Sequence, residues 1–246
     1  MCLIAIAHRA SPLFPLVLAA NRDEAYERAT QEAHFWPDAP DVLAGRDGLH
    51  GGTWLAVTRG GRFAAVTNLR GAVQRTRSRG ALVSEFVRSN VEIDSYAGAI
   101  ALHADEYSGF HLLAGEIDGR AMSIAPDLQH ELEPGIHGVS NAPSGEHWAK
   151  VGLAVATMST VLESSDERKI IDDLMQFLST RRGTGSVESE VFIAGEMYGT
   201  RSSTVIVATM NEIVFVEQTY ARGGVLQGAR KEFRFARERL TTSDRW

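Results

Sequence analysis

One cysteine, Cys2, stands in a chain of 246 residues, so no intramolecular disulfide can form and any thiol chemistry belongs to that residue. No run of 18 apolar residues occurs, so no membrane-spanning helix is expected. The first twenty residues lack a basic start, a continuous apolar core and a small-residue cleavage site, so they do not read as a secretory signal; a cytoplasmic setting is the expectation. The eight histidines form no H-x-x-x-H pair and no C-x-x-C exists, so no metal site is expected. Gly51-Gly52 is not followed by Gly-Lys-Ser/Thr, which argues against a nucleoside triphosphate site. A net charge of -6 with pI near 5.8 argues against a nucleic-acid partner, although a local basic stretch is compatible with it.

What is present is enough apolar material, 44% of residues, to bury one large core, and residues 1–246 read as a single domain. Leu3 to His8 and Leu16 to Ala20 are short apolar runs bounded by Pro and polar turns, the pattern of strands buried on both faces. Between Ala25 and His50 the periodicity is lost and a long loop is expected. Trp54 to Val57 and Phe63 to Asn68 flank the turn Arg59-Gly60-Gly61-Arg62 as a hairpin. Ser78 should cap a helix over 79–89, and a second helix fits 95–106. Strands are expected at 109–116, 121–125, 129–132 and 136–140, then helices at 145–162 and 167–179. The closing elements are strands at 202–209, 212–220 and 231–235 and a short helix at 236–240. Hairpins and helix pairs without strand-helix-strand alternation predict an α+β fold in which two antiparallel sheets carry helices on their outer faces.

The chemistry concentrates at the start. If the initiator methionine is removed, Cys2 carries a thiol and a free α-amine on one carbon, so nucleophile and general base are one residue. After the second strand comes Asn21-Arg22-Asp23-Glu24. Should the two strands pair, Arg22 returns to Cys2, where a guanidinium favours the thiolate, and Asp23 can accept hydrogen bonds from the amine. Taken singly, each has a plainer reading: Cys2 as a small strand residue, the tetrapeptide as a polar turn. Arg70, Arg75, Arg77 and Arg79 form a basic stretch leading into a helix N-terminus, suited to a carboxylate or phosphate, or equally a solvated loop.

Met1-Cys2-Leu3-Ile4, Asn21-Arg22-Asp23-Glu24, Gly51-Gly52-Thr53-Trp54, Thr67-Asn68, Ser78-Arg79-Gly80, Ser140-Asn141-Ala142-Pro143 and Gly199-Thr200-Arg201-Ser202-Ser203 occur in order. Together they closely resemble the NRDE family, whose animal members are called transport and Golgi organization protein homologues. The order Cys2, Arg22, Asp23, Asn68, Asn141, Arg201 is more distantly similar to the active-site order of the choloylglycine hydrolase and penicillin V acylase group of N-terminal-nucleophile (Ntn) hydrolases.

That second resemblance implies a four-layer αββα sandwich in which Cys2 attacks an amide carbonyl, Arg22 poises the thiolate and Asp23 holds the α-amine. Asn68 and Asn141 would supply oxyanion contacts, and Arg201 would complete the polar network. Here the acidic residue directly follows the arginine, so Asp23 and Glu24 compete for one role. Asn141 precedes Pro143 at a strand end, where ladder pairing stops and a carboxamide can turn into a cleft. Trp54 and the arginines at 70, 75, 77 and 79 are the expected ligand contacts. An amidohydrolase or acyltransferase acting on an amide or thioester of a small anionic or acylated ligand follows, with no cofactor required. The family resemblance also implies a rival: binding and movement of haem, another tetrapyrrole or acyl-CoA, with Cys2, His8 or His50 as iron contacts. No amphipathic basic helix or lipidation signal supports a role at secretory membranes.

Overall fold

In the computed structural model, which describes residues 2–143, 146, 148–183 and 185–238, the apolar run at the start forms β1 (Leu3–His8), buried along its whole length. β2 (Leu16–Ala25) returns antiparallel to it. There follow β3 (Thr30–Trp36), β4 (Ala39–Asp47), β5 (Leu55–Thr58), β6 (Arg62–Asn68), α1 (Arg79–Arg88) and α2 (Ile93–Leu102). Next come β7 (Phe110–Glu116), β8 (Ala121–Ile124), β9 (Gln129–Glu131), β10 (Gly135–Ser140), α3 (Ala149–Val161) and α4 (Glu167–Leu178). The described chain closes with β11 (Tyr198–Ala208), β12 (Glu212–Ala221) and β13 (Val225–Ala236).

Two antiparallel sheets result, one ordered β10-β1-β2-β11-β12-β13 and the other β3-β4-β5-β6-β7-β8-β9. Strand alternation explains the layering. On β1, Ile4 and Ile6 enter the core between the sheets with Leu18, Phe63 and Leu113. Leu3, Ala5 and Ala7 point the other way, against Met158, Ile170 and Leu174 of α3 and α4. On the far side, Leu82, Phe86 and Tyr96 of α1 and α2 pack on Ala64, Val66 and Leu112. The αββα sandwich expected from the sequence is therefore present, and its three apolar layers are separated by two sheets.

Several expectations need correction. The segment 25–50 is not a loop but the β3–β4 hairpin; its pairing shifts register between Gln31 and His34 and again between Phe35 and Trp36, which destroys the two-residue period. The expected helix at 95–106 begins two residues earlier, at Ile93, and breaks after Leu102 into a 3-10 turn, Ala104–Glu106. β13 is far longer than 231–235 because it is an edge strand, mostly exposed and carrying a left-handed Gly228, so no apolar pattern marks it. The described part of the helix expected at 145–162 starts at Ala149, while Met1, Gly145, Thr184 and the last residues of the proposed 236–240 helix lie outside the described residues. α1 matches its prediction, with Ser78 Oγ accepting from Gly80 N at 3.2 Å.

Candidate active site

β1 and β2 pair with Leu3 opposite Asn21, and continuing that register by one residue sets Cys2 beside Arg22. Alternation then divides the NRDE tetrapeptide. Arg22 and Glu24 face the inter-sheet side with Cys2, whereas Asn21 and Asp23 face the α3/α4 layer. The tetrapeptide is strand throughout, not a turn. Asn21 is a structural tie: its Nδ2 donates to the carbonyls of Leu178 and Val191, both at 2.8 Å, and its Oδ1 accepts from Ser203 Oγ.

Arg22 is 6% exposed. Its guanidinium carbon lies 4.0 Å from the centroid of the Trp54 ring and its NH1 donates to Thr30 Oγ1 at 3.0 Å. Burial pulls this arginine below its ordinary range, opposed by the negative charges of Glu24, Cys2 and Asp47. Cys2, Arg22, Glu24, His50, Trp54, Asn68 and Arg79 share the lining of one cavity of about 210 Å³.

The two asparagines do different things. Asn141 is fully buried; its Oδ1 accepts from the backbone N–H of Cys2, and its Nδ2 donates to Asn68 O and Asn68 Oδ1, each at 2.6 Å. Since Asn68 Oδ1 is taken, the free donor of that amide is Nδ2, and Asn68 is the one of the pair that lines the cavity. Asn141 thus holds both Asn68 and Cys2, and Asn68 is left with a side-chain donor on the cavity side. Two further bonds tie the same strand ends, Thr67 Oγ1 to Ser140 O at 2.9 Å and Arg70 N to Asn141 O at 2.9 Å.

Asp23 is 4% exposed, with Thr200 Oγ1 donating to its Oδ1 at 2.7 Å and Tyr198 Oη donating to its carbonyl at 2.8 Å. Burial pushes its carboxyl up, and the charge of the terminal amine, then that of Lys150, and the Thr200 hydroxyl pull it back. Lys150 was not legible beforehand: a lysine in a helix reads as solvated, yet this one has no exposed surface.

Other expected residues scatter. Arg201 does not join the cavity; its NH1 donates to the carbonyls of Ala25, Tyr26 and Arg28, clamping the turn after β2. Arg70 points away and pairs with Glu188 at 2.9 Å. Arg75, Arg77 and Arg79 do line the cavity. Arg77 is engaged by Glu85 and Glu106 and stacks on Tyr107, so the acids missing from its own stretch arrive from α1 and the 3-10 turn. Arg79 is half-buried, its guanidinium pulled down by burial and held up by the charges of Cys2 and Glu24. His8 is remote from Cys2, buried with Nε2 on Glu116 O at 3.1 Å.

A nucleophile candidate at the first strand of two stacked antiparallel sheets with outer helices defines the class: the fold of the Ntn hydrolases. The solved structures agree. The C2A mutant of the conjugated bile acid hydrolase from Clostridium perfringens matches with a TM-score of 0.56 at 10% identity, over 95% of this chain and 92% of that one. A Caenorhabditis elegans N-acylethanolamine-hydrolyzing acid amidase ortholog matches with a TM-score of 0.52 at 13% identity, over 84% and 92%. At such identities the likeness is one of fold. The chain itself belongs to the Transport and Golgi organisation 2 family, whose model matches residues 1–222. The Bos taurus Transport and Golgi organization protein 2 homolog is 30% identical over 257 residues, covering 89% of this chain and 93% of the bovine protein. The Homo sapiens homolog is 28% identical over the same shares.

Proposed function

We propose that the protein is an Ntn-type cysteine amidohydrolase or acyltransferase acting on an amide or thioester of a small anionic or acylated ligand through Cys2. The observation that carries this reading is the shared cavity: thiol, buried guanidinium and a carboxamide donor line one space. With Met1 removed, the α-amine takes the thiol proton and the Cys2 sulfur attacks the carbonyl carbon. The carbonyl oxygen becomes an oxyanion facing Asn68 Nδ2, the C–N or C–S bond breaks as the leaving group takes the proton, and an acyl-Cys2 thioester remains. Water or an acceptor amine then attacks that thioester and the thiol is restored. Arg79 and Arg75, which have no carboxylate partner among the ion pairs of the described residues, suit a carboxylate or phosphate on the ligand.

The cavity of about 210 Å³ fits a scissile group. It is smaller than the roughly 300–1,000 Å³ of pockets that enclose whole drug-sized ligands. Of the expected iron contacts, Cys2 and His50 line this cavity and His8 does not. The test is intact-mass analysis after incubation with acyl p-nitroanilides and acyl thioesters. Expected are a mature chain beginning at Cys2 and an acyl adduct absent from Cys2→Ala. Active material that retains Met1 refutes the mechanism, because an acylated nitrogen cannot act as the base. A Soret shift at stoichiometric haem, lost in Cys2→Ala, would favour the binding reading instead.

A further inference from the structure

Trp54 stands just before β5, and its backbone is tied to β6, since its carbonyl accepts from Val66 N at 2.8 Å. Its indole covers the Arg22 guanidinium, whose carbon is 4.0 Å from the ring centroid. β4 makes room for that indole. A Cβ on Gly45 would overlap Trp54 Cη2 and lie 2.6 Å from Cζ2. Gly45 does not have a positive φ, so space and not backbone conformation requires a glycine there. A second restraint is Thr30 Oγ1, which accepts from Arg22 NH1 at 3.0 Å. That hydroxyl spends its own proton on Arg28 O at 3.1 Å, which leaves a lone pair turned to the guanidinium.

No carboxylate does this work. Among the described residues none forms an ion pair with Arg22; Glu24 and Asp47, whose charges act on it, both pair with Arg28. Behind the stacked pair lies a second cavity of about 40 Å³, which Arg22 and Trp54 line together with Thr30, Ser202 and Glu217. It has room for about two or three waters, so on that side the guanidinium meets space and not packed side chains. A paired carboxylate would orient a buried guanidinium but would also cancel its charge. An aromatic face and a neutral hydroxyl orient it and leave the charge whole.

From these contacts we infer that Trp54, Thr30 and Gly45 are positioning residues, which hold the Arg22 guanidinium at the wall of the Cys2 cavity with its positive charge uncancelled. The benefit to Cys2, a favoured thiolate, rests on the Ntn reading. The holding itself does not. Trp54 thereby has a role separate from the ligand contact expected of it, and Gly45 is tied to the site without lining the cavity.

The experiment measures the Arg22 Nε–Hε order parameter by NMR in the full chain, with Arg22→Lys identifying the resonance. Held by the indole, the group should be as rigid as ordered backbone, about 0.85, and should fall below about 0.6 in Trp54→Leu. Trp54→Phe keeps an aromatic face and should restore most of the rigidity. An unchanged order parameter in folded Trp54→Leu overturns the inference. Should Trp54→Leu fail to fold, Gly45→Ala, which displaces the indole by one methyl group, must loosen Arg22 in its place; a rigid Arg22 there overturns it equally. The second readout is the rate at which iodoacetamide alkylates Cys2, followed by intact mass. Trp54→Leu should slow it about threefold or more, and this effect should vanish in an Arg22→Gln background, whereas general loosening of the fold would slow both backgrounds alike and count against the inference. If Arg22→Gln alone leaves alkylation unchanged while Trp54→Leu still frees the guanidinium, the holding stands and only its purpose under the Ntn reading is lost.

Discussion

Substituting Asn141 separates the holding of the fold from the orientation of Asn68, the oxyanion donor of the proposed mechanism. Its carboxamide makes three bonds in a site with no solvent exposure, one accepted from Cys2 N–H and two donated to Asn68 O and Oδ1. Asn141→Ala strands the Cys2 N–H and the Asn68 oxygens. Cys2 and Asn68 are only partly buried, so each of the three stranded groups costs toward the lower end of roughly 1–3 kcal/mol, and the loss is about 3–5 kcal/mol, which lowers Tm by roughly 6–20 °C in a chain of this size. Asn141→Asp behaves differently. It keeps an acceptor for Cys2 N–H, but its second oxygen now meets two acceptors on Asn68. Rotating the Asn68 amide by half a turn relieves the side-chain clash by offering Nδ2, and that rotation sends Oδ1 into the cavity. An acceptor then faces the developing oxyanion in place of a donor, and acyl-Cys2 formation should fall about 10²–10³-fold, near 3–4 kcal/mol. The assay pairs thermal melts with the rate of acyl-adduct formation by intact mass. Asn141→Asp should melt above Asn141→Ala yet acylate no faster. An Asn141→Asp protein that acylates at the unmutated rate refutes the orientation argument.

His8 is buried with one ring nitrogen on Glu116 O and its Nδ1 unpartnered, and burial holds it below its ordinary value of 6.5. Its contribution is present above pH 6.5 and is lost as pH falls below that value, at up to about 1.4 kcal/mol per pH unit for one proton; Tm between pH 7 and 5 should therefore decline less steeply in His8→Gln. Glu217, 2% exposed with Oε1 accepting from Ala33 N at 2.7 Å, is pushed up to about 7 by burial. Its sign is opposite: stability is present below the ordinary 4.5 and is lost as pH rises through about 7, so Glu217→Gln should raise Tm at pH 8 more than at pH 5. Gly52→Ala would place a Cβ 2.6 Å from Gly80 C and 2.7 Å from Gly80 O. The obstacle is backbone at the start of α1, so the change should cost about 1–3 kcal/mol in a denaturant titration.

Elements buried on both faces or closed by a tight turn were legible from the chain: β1, the β5–β6 hairpin and α1 with its Ser78 cap follow from burial pattern and turn chemistry alone. The β3–β4 hairpin was not, because two register shifts scramble alternation, and β13 was not, because an exposed edge imposes no apolar pattern. The same contrast holds at the candidate site. The approach of Arg22 to Cys2 follows from the pairing of two adjacent strands, a local matter. The split between Arg22 and Asp23 was in principle readable, since neighbours in a strand face opposite layers, but only once the tetrapeptide is known to be strand. Lys150 and Arg201 were out of reach, as nothing in a helix pattern marks a buried lysine and nothing before a strand marks a guanidinium that clamps a turn 170-odd positions away.

Motifs spread over the chain become one requirement when sorted by sheet. One sheet carries Cys2, Arg22 and Asp23 at the ends of β1 and β2; the other leads Asn68 out of β6, with Trp54 just before β5. Neither sheet alone holds a complete set, so the candidate site exists only where the two are locked together. The lock is made by Thr67 to Ser140, Asn68 to Asn141 and Arg70 N to Asn141 O, and its second element, Asn141, also holds Cys2 N–H. Gly52 and Gly80 let the strand entry meet the α1 terminus at backbone distance, with Thr53 N donating to Gly80 O at 3.2 Å, and so bring Arg79 to the cavity wall. On this view the glycines, Thr67 and Asn141 matter as much as the charged groups they flank: they fix the separation between Cys2 and Asn68, to which the proposed attack would be sensitive on the scale of about 1 Å.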